Sequence, residues 1–200
     1  MDLSISKHNS KLGKITSFSI VAGDTCPGKT TLCTKACYVT GYYKQYPPVR
    51  KAYDGNLDLV LTTDWKVDII RELSKTRRKV FRIHVSGDFF SPKYILEWIF
   101  IIAMFPHIRF LAYTRSWRVP RLRQELRKLR ELPNVSLFAS CDAEAYEAPL
   151  GWRKAWMGKP IGQVGKTTIM CPGYGPKELT CDKCLMCFKA SSPDVWFPIH

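Results

Sequence analysis

Residues 79–117 read KVFRIHVSGDFFSPKYILEWIFIIAMFPHIRFLAYTRSW, and their pattern decides the fold. Lys79–Ser86 alternates apolar and polar side chains and is rich in Val, Ile and Phe, which predicts a strand. Ser91 can accept an amide of a first helical turn. Pro92 suits the first helical position because it has no N–H to leave unpaired. A helix is therefore predicted over Ser91–Phe105, and Ile108–Thr114 returns to strand character. A strand, a helix and a second strand in this order imply a right-handed crossover and a parallel pair.

The same alternation continues on both sides. Val119–Leu132 reads as a helix with Leu122, Leu126 and Leu129 on one stripe, ended by Pro133-Asn134, and Val135–Ser140 as a third strand. Upstream, Ile15–Val21 is a predicted strand and Asp64–Lys75 a helix; Gly165–Met170 is a predicted last strand. The sum is an α/β fold built on a parallel sheet covered by helices. Such sheets bind ligands at the carboxyl ends of their strands. Here those ends read Ala22-Gly23-Asp24-Thr25-Cys26, Ser86-Gly87-Asp88-Phe89, Thr114-Arg115-Ser116-Trp117, Ser140-Cys141-Asp142 and Cys171-Pro172-Gly173. Several polar or sulfur-bearing ends on one edge predict one shared site. Asp88, Arg115 and Asp142 are its candidate catalytic residues, with Arg115 suited to a carboxylate or phosphate.

The chain's 200 residues, 46% of them apolar, suit a compact domain with a small appendage. Residues 1–150 form the predicted α/β domain with an N-terminal cysteine loop, and residues 151–200 a C-terminal cysteine-rich segment. The net charge is +14, and residues 64–133 hold 16 basic against 7 acidic groups. One concentration is Arg71, Lys75, Arg77, Arg78, Lys79 and Arg82. The other is Arg115, Arg118, Arg121, Arg123, Arg127, Lys128 and Arg130. Basic helices of this kind predict contact with nucleic acid or a nucleotide; an ordinary solvated face is the competing reading. The N-terminus lacks an apolar signal region, and no run reaches the roughly 18 apolar residues of a membrane helix. A cytoplasmic protein away from membranes is expected. In that reducing setting, clustered cysteines more often bind metal or do chemistry than form disulfides.

The eight cysteines fall into two groups and one singleton. Cys181, Cys184 and Cys187 form C-x2-C-x2-C, with Cys171-Pro172 upstream. Iron–sulfur clusters use such runs. Zinc, the alternative, prefers two separated C-x2-C knuckles. Cys26, Cys33 and Cys37 form C-x6-C-x3-C. Their fourth ligand is either Cys141, at a strand end on the same edge, or absent, which leaves one iron open. His84 falls within a predicted strand and reads as a core histidine. Tyr38, Tyr42, Tyr43 and Tyr46 follow the first cysteine loop and suit either shielding of a cluster or stacking on a base. Lys29-Thr30-Thr31 lacks the glycine spacing of a phosphate loop.

A strand, a three-cysteine loop, a helix and a second strand ending in a Gly-plus-acid motif resemble the radical S-adenosylmethionine architecture. The resemblance implies an incomplete parallel (β/α) barrel-like sheet of about five strands. It implies a [4Fe–4S] cluster on Cys26, Cys33 and Cys37, S-adenosylmethionine on the open iron, and Ser86, Gly87 and Asp88 as cofactor-binding residues. Cys171, Cys181, Cys184 and Cys187 resemble the extra C-terminal cluster of many members. The family's usual spacing is C-x3-C-x2-C with Glu where Asp88 stands. A closer resemblance covers nearly the whole chain: KLGKITSFSIVAGDTCPGKTTLCTKACY, VSGDFF, AYTRSW, LPNVSLFASCD and CDKCLMCF are similar to a family of small phage and mobile-element proteins known by a gene-product number, of unknown activity.

Three functional expectations follow. The first is a two-cluster [4Fe–4S] enzyme of radical S-adenosylmethionine type, acting on a nucleotide or nucleic-acid-related substrate. In it, the cluster's electron cleaves S-adenosylmethionine to a radical that abstracts hydrogen near Arg115 and Asp142. The second is a non-enzymatic [4Fe–4S] protein, either an electron carrier with a redox partner or a redox sensor on nucleic acid. The third is a zinc-stabilised nucleic-acid-binding protein.

Overall fold

The structure, a computed structural model, describes residues 3–158, 168–175, 179–191 and 193–199. Its strands are β1 (Ile5–Ser6), β2 (Thr16–Phe18), β3 (Val80–Ile83), β4 (Arg109–Thr114), β5 (Val135–Cys141), β6 (Arg153–Met157), β7 (Ile169–Met170) and β8 (Val195–Phe197). Its helices are α1 (Thr31–Lys35), α2 (Tyr38–Gln45), α3 (Pro47–Thr62), α4 (Lys66–Lys75), α5 (Pro92–Met104), α6 (Arg123–Glu131) and α7 (Cys181–Cys184). The strands form one sheet in the order β1-β2-β3-β4-β5-β6-β8-β7. Every pairing is parallel except β1 with β2. The fold is therefore mixed α/β with a mostly parallel sheet. Strands β6, β7 and β8, all from residues 151–200, extend the sheet begun by the first 150.

The central βαβ unit forms as its sequence predicts. Ser91 caps α5 by accepting the Tyr94 amide at 3.2 Å, and Pro92 opens the helix. The stripe of α6 is sealed, with Leu122, Leu126 and Leu129 all fully buried. Such leucines contribute roughly 1.5–3 kcal/mol each. The predicted 119–132 helix begins as a 3-10 turn at Pro120–Leu122 and becomes α only at Arg123. The predicted 79–86 strand stops at Ile83, because His84 takes a left-handed φ of +62° that a strand cannot continue through. Of the predicted strand 165–170, Ile169–Met170 is β7; residues 165–167 lie outside the described residues.

Alternation along the strands sorts two cores. Phe81, Ile83, Phe110, Ala112, Leu137, Ala139 and Cys141 pack under α4, α5 and α6. On the opposite face, Leu111 and Phe138 meet Leu12, Ile15, Cys171, Phe188 and Val195. The helices α4, α5 and α6 thus cover one face only. The sequence implied helical cover throughout, but the second face is closed by a turn near the N-terminus and by the cysteine-bearing C-terminal segment. Apolar residues in both closing segments supply the burial that helices provide elsewhere. Among the described residues, no helix is long and apolar enough to cross a membrane.

Candidate cysteine sites at the carboxyl edge of the sheet

The first cysteine loop leaves the end of β2 and is fastened to the ends of β4 and β5. Arg115, just past β4, pairs with Asp142, just past β5, and both side chains are buried. The same Asp142 oxygen accepts the Thr30 hydroxyl at 2.6 Å, and Thr30 Oγ1 in turn accepts the Cys33 amide at 2.9 Å. Thr30 is the N-cap of α1, the single helical turn that carries Cys33. The Glu144 carboxylate accepts the next two amides, of Thr31 and Leu32, both at 2.9 Å. A carboxylate over the first turn of a helix also meets the positive end of its dipole. Arg118 donates to the Gly28 carbonyl at 2.9 Å. A side chain at Gly28 would begin 2.0 Å from the Arg115 carbonyl oxygen, so the loop lies directly on the end of β4.

Asp88 ties the neighbouring strand into the same edge. One carboxylate oxygen accepts the Thr114 hydroxyl at 2.6 Å and the Phe89 amide at 2.7 Å; the other accepts the Arg115 amide at 2.8 Å and the Ser116 amide at 3.2 Å. Burial raises its pKa, and these hydrogen bonds oppose the rise. Ser86 shares a 2.6 Å hydrogen bond with Tyr43, whose hydroxyl also takes the Ala22 amide. Gly87 has φ +79°, and a side chain there would start 2.5 Å from Ile20 Cγ1. The candidate polar residues of the shared site are therefore brought together, and every one of them contacts the chain itself. Arg115, expected to meet a carboxylate or phosphate, meets the carboxylate of Asp142 and the Ser140 hydroxyl at 3.1 Å.

Among the three thiols of this loop, Cys26 interacts electrostatically with Cys33, and Cys33 with Cys37. Burial, then Asp88, pushes Cys26 up to about 11; burial also raises Cys33, with Arg115 pulling the other way. Cys141 stands apart. It lies on the helix-covered face of β5, fully buried beside Leu137 and Ala139, while Ser140 turns to the Arg115 side. Burial pushes its thiol up to about 12.

The C-terminal group is built on the other face. Cys171 follows β7, Cys181 and Cys184 bracket the single turn of α7, and Cys187 lies in the 3-10 turn Met186–Phe188. Leu185, at φ +51°, reverses the chain between the two turns. All four cysteines line one cavity of about 450 Å³ at the carboxyl edge. Its other walls include Tyr38, Tyr42, Tyr113, Tyr174, Lys11 and Arg82. The Tyr113 hydroxyl acts on Cys187, opposing the rise that burial gives its pKa. Burial pushes Cys181 up to about 11 and raises Cys187, with Arg82 opposing both. Burial thus favours the protonated thiol at Cys181 and Cys187; thiolate coordination there would need a positive centre in the cavity. Among the described residues, no three His, Cys, Asp or Glu side chains converge closely enough to hold a single metal ion.

His84 is the core histidine expected, although it sits just past the strand. Its Nε2 meets the Tyr94 hydroxyl at 2.7 Å, and burial lowers its pKa to about 3. The basic concentrations are partly structural. Arg71 and Lys75 pair with Asp68 and Glu72, and Arg118, Arg123 and Arg130 donate to backbone carbonyls. Arg121, Arg127 and Lys128 are exposed around α6. Thr30, Gly28, Arg118 and Glu144 carry the loop's anchoring, a role the sequence assigned to none of them. Thr30 did stand three residues before Cys33, at N-cap spacing; Glu144 lies 113 residues from the amide it accepts and left no local signal.

The family described as Gene product 88 matches residues 3–161. The chain is 30% identical over 149 residues to the Gene 88 protein of Mycobacterium phage D29, covering 68% of this chain and 60% of that protein. It is 34% identical over 153 residues to the Gene 88 protein of Mycobacterium phage L5, covering 68% of this chain and 61% of that protein. The chain thus spans about three-fifths of the length of these relatives. No solved structure matches it.

Proposed function

The chain belongs to the Gene product 88 family, and within that family we propose that it is an iron–sulfur protein with two [4Fe–4S] sites on one sheet edge. The observation that carries the reading is the placement of Cys171, Cys181, Cys184 and Cys187 around a single cavity. An all-sulfur set with two cations nearby suits a thiolate-ligated cluster, whose net charge is about −2. Four sulfurs spread round a cavity also suit irons at separate corners. A single zinc ion, with Zn–S bonds of about 2.3 Å, asks its ligands to converge.

At the second site, Cys26, Cys33 and Cys37 supply three ligands from a loop locked to the sheet. Cys141 faces the helix-covered core, so Cys26, Cys33 and Cys37 are the residues that would hold a cluster there. Such a cluster would supply one-electron chemistry, and S-adenosylmethionine is the co-substrate that the sequence resemblance implies. Asp88, Arg115 and Asp142 act as positioning residues: they hold the cysteine loop, and through it the sulfurs, over the strand ends. The sheet, with helices on one face and the cysteine cavity on the other, is read as an incomplete barrel. A reducing, cytoplasmic setting keeps the thiols available. Nucleic-acid, nucleotide or redox-partner contact falls to the exposed cations of α6.

The test is anaerobic purification with iron, sulfide and zinc analysis, followed by EPR of the reduced protein with and without S-adenosylmethionine. Two loaded sites give about eight irons per chain. Cys184→Ser should remove about half of the iron and Cys33→Ser the other half. A colourless zinc protein would sink the reading and favour the zinc-stabilised alternative. An EPR signal unmoved by S-adenosylmethionine would leave an electron carrier or redox sensor.

A further inference from the structure

We propose that Lys11 is the charge-balancing residue of the C-terminal cysteine site, and that its ammonium sets the reduction potential of a cluster held there. This rests on the four-cysteine reading above and adds a role for a residue outside every cysteine motif.

Four observations place Lys11. Its carbonyl accepts the Cys181 amide at 3.0 Å, so its backbone is fixed to the first residue of α7. The next carbonyl, of Leu12, accepts the Asp182 amide at 3.2 Å, and the Asp182 carboxylate returns to the Lys14 amide at 3.0 Å. The turn near the N-terminus and the cysteine turn therefore move as one piece. Third, a side chain built at Gly173 would begin 3.5 Å from Lys11 Cε and 3.7 Å from Cys171 Sγ, so both flank the same glycine, and the Lys11 charge acts on the Cys181 thiol. Fourth, Lys11 Nζ is buried and, among the described residues, has no hydrogen-bond partner. It lies over the Tyr174 ring, 2.9 Å from the centroid.

A buried ammonium without an acceptor is costly, and an aromatic face offsets only part of that cost. Here the unmet charge faces a cavity lined by four thiols. Once those thiols are ionised around a cluster, the site carries about −2 when oxidised and about −3 after taking one electron from an external reductant. The ammonium favours the more negative state and so raises the potential. Arg82 contributes from the opposite wall, but its guanidinium is already held over Tyr113, 4.0 Å from the ring centroid, with Nε donating to the His84 carbonyl at 3.1 Å. Lys11 also lies over a ring, that of Tyr174, but among the described residues its ammonium has no hydrogen-bond acceptor, so its charge is the less compensated of the two.

The experiment uses the full chain carrying Cys26→Ser, Cys33→Ser and Cys37→Ser, reconstituted anaerobically with iron and sulfide so that only the C-terminal site is loaded. Iron content is measured first, then the potential by dithionite titration with redox mediators. Lys11→Met and Lys11→Gln should each lower the potential, reducing the reduced-to-oxidised ratio at fixed potential about tenfold, or about 59 mV for one electron. Lys11→Arg should restore it. A loaded site whose potential is the same in all four proteins overturns this inference and leaves the iron–sulfur reading standing. A background protein that holds no iron at Cys171, Cys181, Cys184 and Cys187 overturns both. If Lys11→Met and Lys11→Gln fail to load while Lys11→Arg loads, the charge requirement stands; if Lys11→Arg also fails to load, the residue acts through packing and the proposal falls.

Discussion

The two cysteine groups share one edge of one sheet, but they are held by opposite means. The loop with Cys26, Cys33 and Cys37 is fixed by polar contacts that need no bound group: the Arg115–Asp142 pair, the Thr30 and Glu144 caps of α1, and the Gly28 approach to β4. The C-terminal group has four thiols, two nearby cations and an aromatic wall, on elements of one turn each. Its main-chain support is the tie between Lys11 or Leu12 and α7, with the Cys171 amide donating to the Trp196 carbonyl on β8 at 2.9 Å. The first site is organised before anything binds. On the iron–sulfur reading proposed above, the second would draw its order from its contents. One sheet edge would then carry a preformed site and a site that its ligand completes.

The sharpest way to break this comparison is to remove Asp142. Asp142→Ala leaves the Arg115 guanidinium buried and unpaired, which costs about 3–5 kcal/mol. It also frees the Thr30 hydroxyl. Chemical denaturation should show the loss. Iron analysis should show the N-terminal share gone and the C-terminal share kept. Equal loss from both sites would mean that the loop and the C-terminal cavity order together.

His84 probes the point where the two regions meet. Its carbonyl receives Arg82, which faces the cavity, and four residues later Asp88 holds the end of β4. Its folded pKa, about 3, lies below the ordinary value of 6.5. The neutral form is thus favoured in the fold. The resulting stability is complete above pH 6.5 and is lost as pH falls toward 3. Between pH 6.5 and pH 5 the loss is about 2 kcal/mol. Urea titrations across that window measure it. His84→Asn, which tolerates the left-handed backbone, should flatten the profile; an unchanged slope would place the acid sensitivity elsewhere.

Gly28→Ala tests the loop alone. The added methyl would start 2.0 Å from a backbone oxygen, and a strand end cannot swing aside as a side chain can. Overpacking of this kind costs about 1–3 kcal/mol. Thermal denaturation should show the shift, with the cavity cysteines no more reactive to alkylation than before. Faster alkylation of Cys184 or Cys187 would show that strain crosses the sheet.

Local patterns made the central fold readable. Ser91-Pro92 marks a helix start, the leucine stripe of α6 marks a buried face, and three strands between them leave little choice of topology. Other elements left no such mark. The helix α3 carries Gly55 and Asn56 in its middle, and Asn56 is there because its amide bridges Ser4 and Ser19. The strand β6 carries Arg153 and Lys154, whose neighbours β5 and β8 decide its state. At the sites, cysteine spacing was legible because three ligands close in sequence must share one loop. The residues that aim the loop were not, because Thr30 meets Asp142 across 112 positions and Arg118 meets Gly28 across 90. The facing of Cys141 was illegible for a related reason. A strand end places a residue at the edge, but the alternation that turns it to the helix-covered face depends on where β5 actually starts.

The finest test returns to the weaker support of the C-terminal group. Asp182 accepts the Lys14 amide and the Thr180 hydroxyl, at 3.0 and 2.6 Å, and these bonds lower its pKa. Its contribution is therefore present above the ordinary carboxylate range and is lost as pH falls through the lowered value. Gly13, at φ +62°, passes so close that a side chain there would begin 2.1 Å from the carboxylate. Asp182→Ala should cost about 1 kcal/mol, the net worth of one such hydrogen bond, and Asp182→Asn less because one acceptor oxygen remains. Amide exchange should quicken at α7 and stay unchanged at α1, since nothing in the first loop touches this tie. If α1 quickened as well, the two cysteine groups would be one cooperative unit, and the division between a preformed and a ligand-completed site would have to be withdrawn.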